Sequence, residues 1–286
     1  MSKKRLLQQL YLTRGVGNKT IQKILAQIPD DSAVSQLTAN DLIKLGEISR
    51  RQDFAKNFQE VLDHPEWLKY LNTLPHFTTL DALYPPLLKE MYQFPSLLFF
   101  QGNTELLAKP SLAVVGTRDP LPHLKPVLEK VLPPLLNELV IVSGLAEGTD
   151  ALAHQLTLEN NGATIAVLGN GLNIFYPRKN RQLQETIAKR GLLLSEYLPQ
   201  AEPRRHHFPM RNRIIAGLTL GTVVVAAKER SGSLITAQMA LENNREVFAI
   251  PGSILDKKFS GCLSLIQEGA KCVQNATDII EEIRFS

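Results

Sequence analysis

Five corners built from small residues recur along this 286-residue chain: Gly116-Thr117-Arg118, Ser143-Gly144, Gly169-Asn170-Gly171, Ser231-Gly232-Ser233 and Pro251-Gly252-Ser253. Glycine lets a ligand approach the backbone closely, and Ser, Thr and Asn add side-chain donors to the exposed N–H groups. Arg118, Arg178, Arg211 and Arg213 stand in or beside these corners, and Asn212 lies between the last two. A guanidinium presents paired donors that match an oxyanion. These residue types in this arrangement are suited to holding phosphate.

Other chemistries find no support. Gly169-x-Gly171 lacks the third glycine of a dinucleotide fingerprint, and there is no Walker loop, HExxH run or nucleophile elbow. Asp150 and His154 are spaced i, i+4 on one helix face, which suits a metal pair or, more simply, a capping Asp and a packed His. His206-His207 read as surface residues beside the arginines as well as anything catalytic, and Glu196 and Glu229 have no evident partner as general acids. Without a catalytic constellation, a metal or a cofactor in view, the chain reads as a binding protein and not an enzyme.

The corners need elements to hold them. Residues 139–142 and 164–168 are short apolar, β-branched runs, each closed by a small-residue turn, with a helical stretch between them. Thr149 or Asp150 is placed to cap that helix and Gly162 to end it. Similar strands are expected at 97–101, 112–115, 192–195, 222–227, 247–250 and 271–273. Helices are expected at 124–136, where Pro133-Pro134 must end or bend the run, and at 181–189, 211–218, 234–241, 263–266 and 277–283. The alternation gives an α/β fold: a Rossmann-like, doubly wound, mostly parallel sheet, whose ligands bind beyond the carboxyl ends of the strands. The five corners all fall at that edge, several of them just before a helix N-terminus.

Residues 1–75 differ. They show helical periodicity, including 39–45 and 51–62, and no strand pattern, so a small all-α domain over 1–75 precedes the sheet domain over 76–286. The turn Gly15-Val16-Gly17-Asn18-Lys19-Thr20 resembles a helix-hairpin-helix, whose N–H groups can hold a DNA phosphate; a plain helical packing element fits it equally. This part carries eleven basic and eight acidic residues, most of the net charge of +4. Elsewhere, residues 160–184 and 203–228 contain Arg and Lys but no acid, which points to an anion-facing surface. Cys262 and Cys272 have no metal-ligand spacing and read as buried thiols of a reducing compartment. No apolar run reaches the roughly 18 residues of a membrane helix, and the basic N-terminus lacks a signal-peptide core, so a cytoplasmic protein is expected.

A resemblance rests on several runs taken in order: Val114-Val115-Gly116-Thr117-Arg118, Ser143-Gly144-Leu145-Ala146-x-Gly148-x-Asp150, Ala153-His154, Tyr176-Pro177, Ser195-Glu196-Tyr197, Phe208-Pro209-x-Arg211-Asn212-Arg213, Ser231-Gly232-Ser233-Leu234-Ile235-Thr236 and Pro251-Gly252-Ser253. Over about residues 95–275 the chain resembles the DNA-processing protein A (DprA, Smf) family. Its helical N-terminus is similar to the sterile-alpha-motif-like (SAM-like) domain often found there. The resemblance implies a single-stranded-DNA-binding protein of natural transformation and competence. Such a protein protects incoming strands, loads the RecA recombinase for DNA recombination and acts as a homodimer. It also implies that Arg118 and Arg178 contact DNA. Phe175 or Tyr176 can offer a stacking ring, with core packing the other reading for Phe175.

The chain departs from the family pattern at four places. Glu147 stands where an Arg is usual, Ala226 replaces a Glu, Leu263 an Asn, and Leu121-Pro122-His123 breaks a Ser-x-Tyr. The alternative reading is a nucleotide-processing enzyme of the related Rossmann-like phosphoribohydrolase type, although Pro251-Gly252-Ser253 is not its Pro-Gly-Gly-x-Gly-Thr turn.

Overall fold

The computed structural model describes residues 2–119 and 121–285, and side chains as far as Ile283. Its elements in chain order begin with helices α1 (Lys3–Leu12), α2 (Asn18–Ala26), α3 (Asp31–Val34), α4 (Ala39–Leu45), α5 (Arg51–Asp63) and α6 (Pro65–Thr73). Strand β1 (His76–Thr78), helix α7 (Pro86–Lys89) and strand β2 (Leu97–Gly102) follow. Then come β3 (Ser111–Val115), α8 (Leu124–Val131), β4 (Val140–Ser143), α9 (Thr149–Glu159), β5 (Thr164–Leu168), α10 (Arg181–Arg190) and β6 (Leu192–Ser195). The chain finishes with α11 (His207–Leu218), β7 (Gly221–Val224), α12 (Gly232–Glu242), β8 (Glu246–Ala249), α13 (Ser260–Gln267), β9 (Lys271–Cys272) and α14 (Thr277–Phe285).

These elements form two compact units, one of residues 1–84 with 93–99, the other of 85–92 with 100–286. In the first, α1 packs against α2, α5 and α6. Its core is apolar and i, i+3, i+4 spaced, with Leu6, Leu10, Ile21, Ile24, Phe58 and Leu71 all buried. β1 pairs antiparallel with the start of β2, His76 opposite Phe99 and Thr78 opposite Leu97.

In the second unit, seven strands run parallel in the order β6-β5-β4-β3-β7-β8-β9. All residues of β3, β4, β5, β6 and β7 are buried, as a sheet covered on both faces requires. From β3 the chain winds one way through β4, β5 and β6 and the other way through β7, β8 and β9. The switch in direction lies between β3 and β7, where Val115 pairs with Val224. That is where an open α/β sheet leaves a crevice.

Three local expectations are corrected. Neither Thr149 nor Asp150 caps α9. Gly148, at φ +81°, holds the N-cap, and a Cβ there would strike the Thr117 carbonyl, so the corner after β3 sits directly against this turn. α9 ends through Asn161 at φ +55°, not Gly162; Asn161 N–H bonds Leu158 O and Gly162 N–H bonds Thr157 O, the two bonds of a Schellman motif. β7 stops at Val224 instead of residue 227, its last bond to β3 running from Val225 N–H to Val115 O at 2.9 Å. The proline pair acts as expected: α8 ends at Val131 and a single 3₁₀ turn carries Pro133 and Pro134.

Candidate nucleic-acid interface

Parallel strands put every carboxyl end at one edge, and there the corners after β3, β4 and β5 meet the N-terminal parts of α11 and α12. Two adjoining hollows open between them. One is lined by Arg118, Leu145, Ala146, Glu147, Gly169, Asn170, Tyr176, Pro177, Phe208 and Arg211. The other is lined by Gly116, Thr117, Arg118, Asp119, Asp150, Arg211, Asn212, Lys228, Ser231, Gly232 and Ser233, among others. Arg118, Ala146 and Arg211 belong to both, so the hollows form one continuous cleft across the switch point.

Much of the small-residue chemistry ties corner to corner. The buried Ser143 hydroxyl donates to Val114 O at 2.6 Å. Ser233 Oγ donates to Gly116 O at 2.7 Å, and Thr149 Oγ1 to Thr117 O at 3.1 Å. Asn170 spends its amide on Gly171 O and Ile174 O. Gly171 is a close-approach glycine, whose Cβ would strike the Leu198 and Pro199 carbonyls. Ser143, Gly144 and Gly171 therefore build the rim from behind without lining it, whereas Gly116, Thr117, Gly169, Asn170, Ser231, Gly232 and Ser233 line it.

The arginines divide. Arg118 is exposed, with its guanidinium carbon 5.9 Å from the centre of the Phe208 ring. Arg211 is 5% exposed; its guanidinium donates to Val167 O, and its Nε to Asn212 Oδ1 at 3.0 Å. Gly144 leaves the space that Arg211 and the Asp150 carboxylate both occupy. Burial holds the Asp150 carboxyl above the usual carboxylate range, with Arg211 pulling it back, and the same burial lowers the pKa of Arg211. Arg213 turns away from the cleft and binds Glu196 at 2.5 Å, both side chains about one-tenth exposed. Arg178 is exposed in the turn just after Pro177 and lies outside both linings.

The ring in the cleft belongs to Tyr176. It is 46% exposed and packs on Phe208, with ring centres 5.5 Å apart. Phe175 faces a separate depression beside Leu172 and Gln184, under the Arg181 guanidinium at 4.7 Å. A Cβ on Gly169 would stand 2.9 Å from the Phe208 ring, so the glycine makes room for it. His154 is no metal ligand. Its Nε2–H donates to Gly144 O at 2.6 Å and its Nδ1 faces the Thr164 hydroxyl at 2.6 Å. Burial pushes its pKa down to about 4, and the Thr164 hydroxyl that Nδ1 faces donates to Ile141 O at 2.8 Å. His207 is likewise occupied, stacked 3.9 Å from Tyr197 with Nδ1 facing Gly169 O, while His206 is exposed. Cys262 is buried and burial drives its thiol up to about 12; Cys272 is half-buried, and both are free. Among the described residues no helix is long and apolar enough to cross a membrane.

Comparison with known proteins gives the family. Residues 76–284 match the family described as DNA recombination-mediator protein A. The chain is 45% identical over 271 residues to the DNA processing protein DprA of Streptococcus pneumoniae, covering 95% of each chain, and 46% identical over 215 residues to DprA of Bacillus subtilis, covering 74% of this chain and 71% of that one. The X-ray structure of the Streptococcus pneumoniae protein superposes with a TM-score of 0.90, covering 96% of this chain and 95% of that chain. The DNA processing protein A of Helicobacter pylori, solved for its single-stranded-DNA-binding mode, superposes with a TM-score of 0.65 at 30% identity, covering 73% of this chain and 96% of that one. With a family match over its whole sheet unit and relatives this similar over most of its length, the chain belongs to the DNA recombination-mediator protein A (DprA) family.

Proposed function

We infer that this chain binds single-stranded DNA without regard to sequence in the cleft at the β3–β7 switch point. The observation that carries this reading is a half-exposed ring, Tyr176, beside an exposed cation, Arg118, with Phe208 beneath both. A strand needs charge along its phosphates and a π-face for its bases, and every base has one, so the grip is indifferent to sequence. Arg178, just beyond Pro177, extends the charge along the rim. By the same family reading the bound strand is protected and passed to the RecA recombinase during natural transformation, by a homodimer in the cytoplasm.

Fluorescence anisotropy with labelled oligonucleotides of different sequence tests the binding. Affinities agree within about threefold across sequences, and log K falls linearly with log salt as bound cations release counterions, at about 0.7 per neutralised phosphate. Absence of binding at low salt, or a strong preference for one sequence, defeats the reading. Release of free base from nucleoside monophosphates supports the phosphoribohydrolase alternative instead; Glu196 and Glu147, two carboxylates beside the corners, are engaged by Arg213 and Lys179. RecA loading predicts faster RecA assembly on single strands in the presence of the chain, and sedimentation reads the dimer.

A further inference from the structure

The helical unit carries a second concave surface, which shares no lining residue with the cleft described above. A trough of about 590 Å³ opens between the turn that follows α1 and the start of α5. Arg14, Arg50 and Lys56 line it, all three exposed. Among the described residues none of the three makes an ion pair or a side-chain hydrogen bond. Asn57 donates to the Arg14 carbonyl at 3.0 Å, which fixes the backbone beneath that arginine and leaves its guanidinium outward. Two acids also line the trough, Glu47 and Asp53, but Glu47 is taken up by Lys23. The balance is positive.

The floor is open backbone. Gly15 needs its φ of +85°, and a Cβ built on Gly15 or Gly17 would meet nothing within 4 Å. Gly17 is also the N-cap of α2 and makes no side-chain cap bond, although the fold has room for a capping Ser or Asp there. Apolar residues in the lining are covered: Phe54 is 4% exposed, and Val16 and Ile48 are half-buried. The trough therefore offers two guanidiniums and an ammonium, with no exposed ring and no apolar anchor in its lining. A lipid surface or a protein segment would need apolar contacts that are missing. A single strand gains its affinity from stacking, which is also missing. What fits is a regular run of phosphates whose bases are already paired.

We propose that this trough is a second nucleic-acid site and takes the phosphate backbone of duplex DNA, independently of the single-strand cleft. The test is binding by the full chain of a blunt labelled duplex and of a short oligothymidylate, in the wild type and in the Arg14→Ala/Arg50→Ala/Lys56→Ala variant. The variant loses at least about tenfold in duplex affinity at low salt, and its salt slope falls by about 2 to 3, one per lost phosphate contact. Its oligothymidylate affinity stays within about twofold. Removal of the exposed Lys44 and Lys69, which lie outside the trough, leaves duplex affinity within about twofold. The proposal is overturned if the wild type fails to bind duplex, if the triple variant binds it unchanged, if oligothymidylate binding falls as much as duplex binding, or if loss of Lys44 and Lys69 has the same effect as loss of the three. Arg118→Ala, measured on both probes, keeps this separate from the cleft: it weakens oligothymidylate alone. A thermal melt within a few degrees of wild type confirms that the triple variant is folded.

Discussion

The Lys179 ammonium lies 3.1 Å from the Glu147 carboxylate, which joins the loop after β5 to the turn after β4 beside the cleft. The family resemblance leads one to expect an arginine at position 147, where this chain has a carboxylate. Lys179 is 79% and Glu147 45% exposed, so the pair adds well under about 1 kcal/mol to the fold. Its larger effect falls on the ligand, because a phosphate must compete with Glu147 for Lys179. Glu147→Gln tightens single-strand binding about two- to fivefold and steepens the salt slope, with Tm unchanged. Equal or weaker binding in the anisotropy assay contradicts this role.

Tyr176 and Phe175 are neighbours in sequence but not in surroundings. Tyr176→Ala costs about 1–3 kcal/mol of single-strand affinity, the usual worth of one stacked base. Phe175→Ala leaves affinity near wild type and lowers Tm instead, because that ring packs under Arg181. A reversed pattern in paired affinity and melting measurements assigns the stacking ring to the wrong residue.

Arg213 is tied into the fold through Glu196. Removing one partner of a buried pair strands the other charge, at about 3–5 kcal/mol. Arg213→Ala therefore lowers the denaturation midpoint sharply, while the protein that remains folded keeps its salt slope. A normal midpoint with a slope reduced by about 1 would return Arg213 to the DNA-contacting set.

His154 makes stability depend on pH. Its pKa is about 4 when folded against 6.5 unfolded, so between those values the unfolded chain takes up a proton that the folded one refuses. Its contribution is complete above about pH 6.5 and is lost as pH falls toward 4, about 3 kcal/mol in all. Asp150, raised by burial, works the other way and softens the decline. His154→Gln, whose amide can still donate to Gly144 O, flattens the fall of Tm between pH 6.5 and 4.5. An unchanged slope in melts across that range places the proton elsewhere.

The fold was legible because its signals are local and repeated. Residues 139–142 and 164–168 are apolar, β-branched and closed by small-residue turns, and that length and composition favour a buried strand over a helix. The corners were legible for the same reason, and parallel strands then had to gather them along one edge. Which way each side chain points was harder to see. Ser143 and Ser233 look like ligand hydroxyls but donate to Val114 and Gly116, because buried carbonyls at strand ends need donors as much as a phosphate does. On α11, Phe208, Arg211, Asn212 and Ile215 are spaced i, i+3, i+4, i+7 and share a face, while Arg213 falls on the other side. Tyr176 and Phe175 sit in a loop, where no periodicity tells one ring from the next.

Photocross-linking of an oligothymidylate carrying 5-iodouracil, followed by peptide mapping, tests the central claim most directly, since it reports which ring a base stacks on. The account predicts that the principal adduct maps to Tyr176, and that Arg118→Ala reduces its yield. Adducts confined to residues 1–84, or to Phe175 with none at Tyr176, would contradict it.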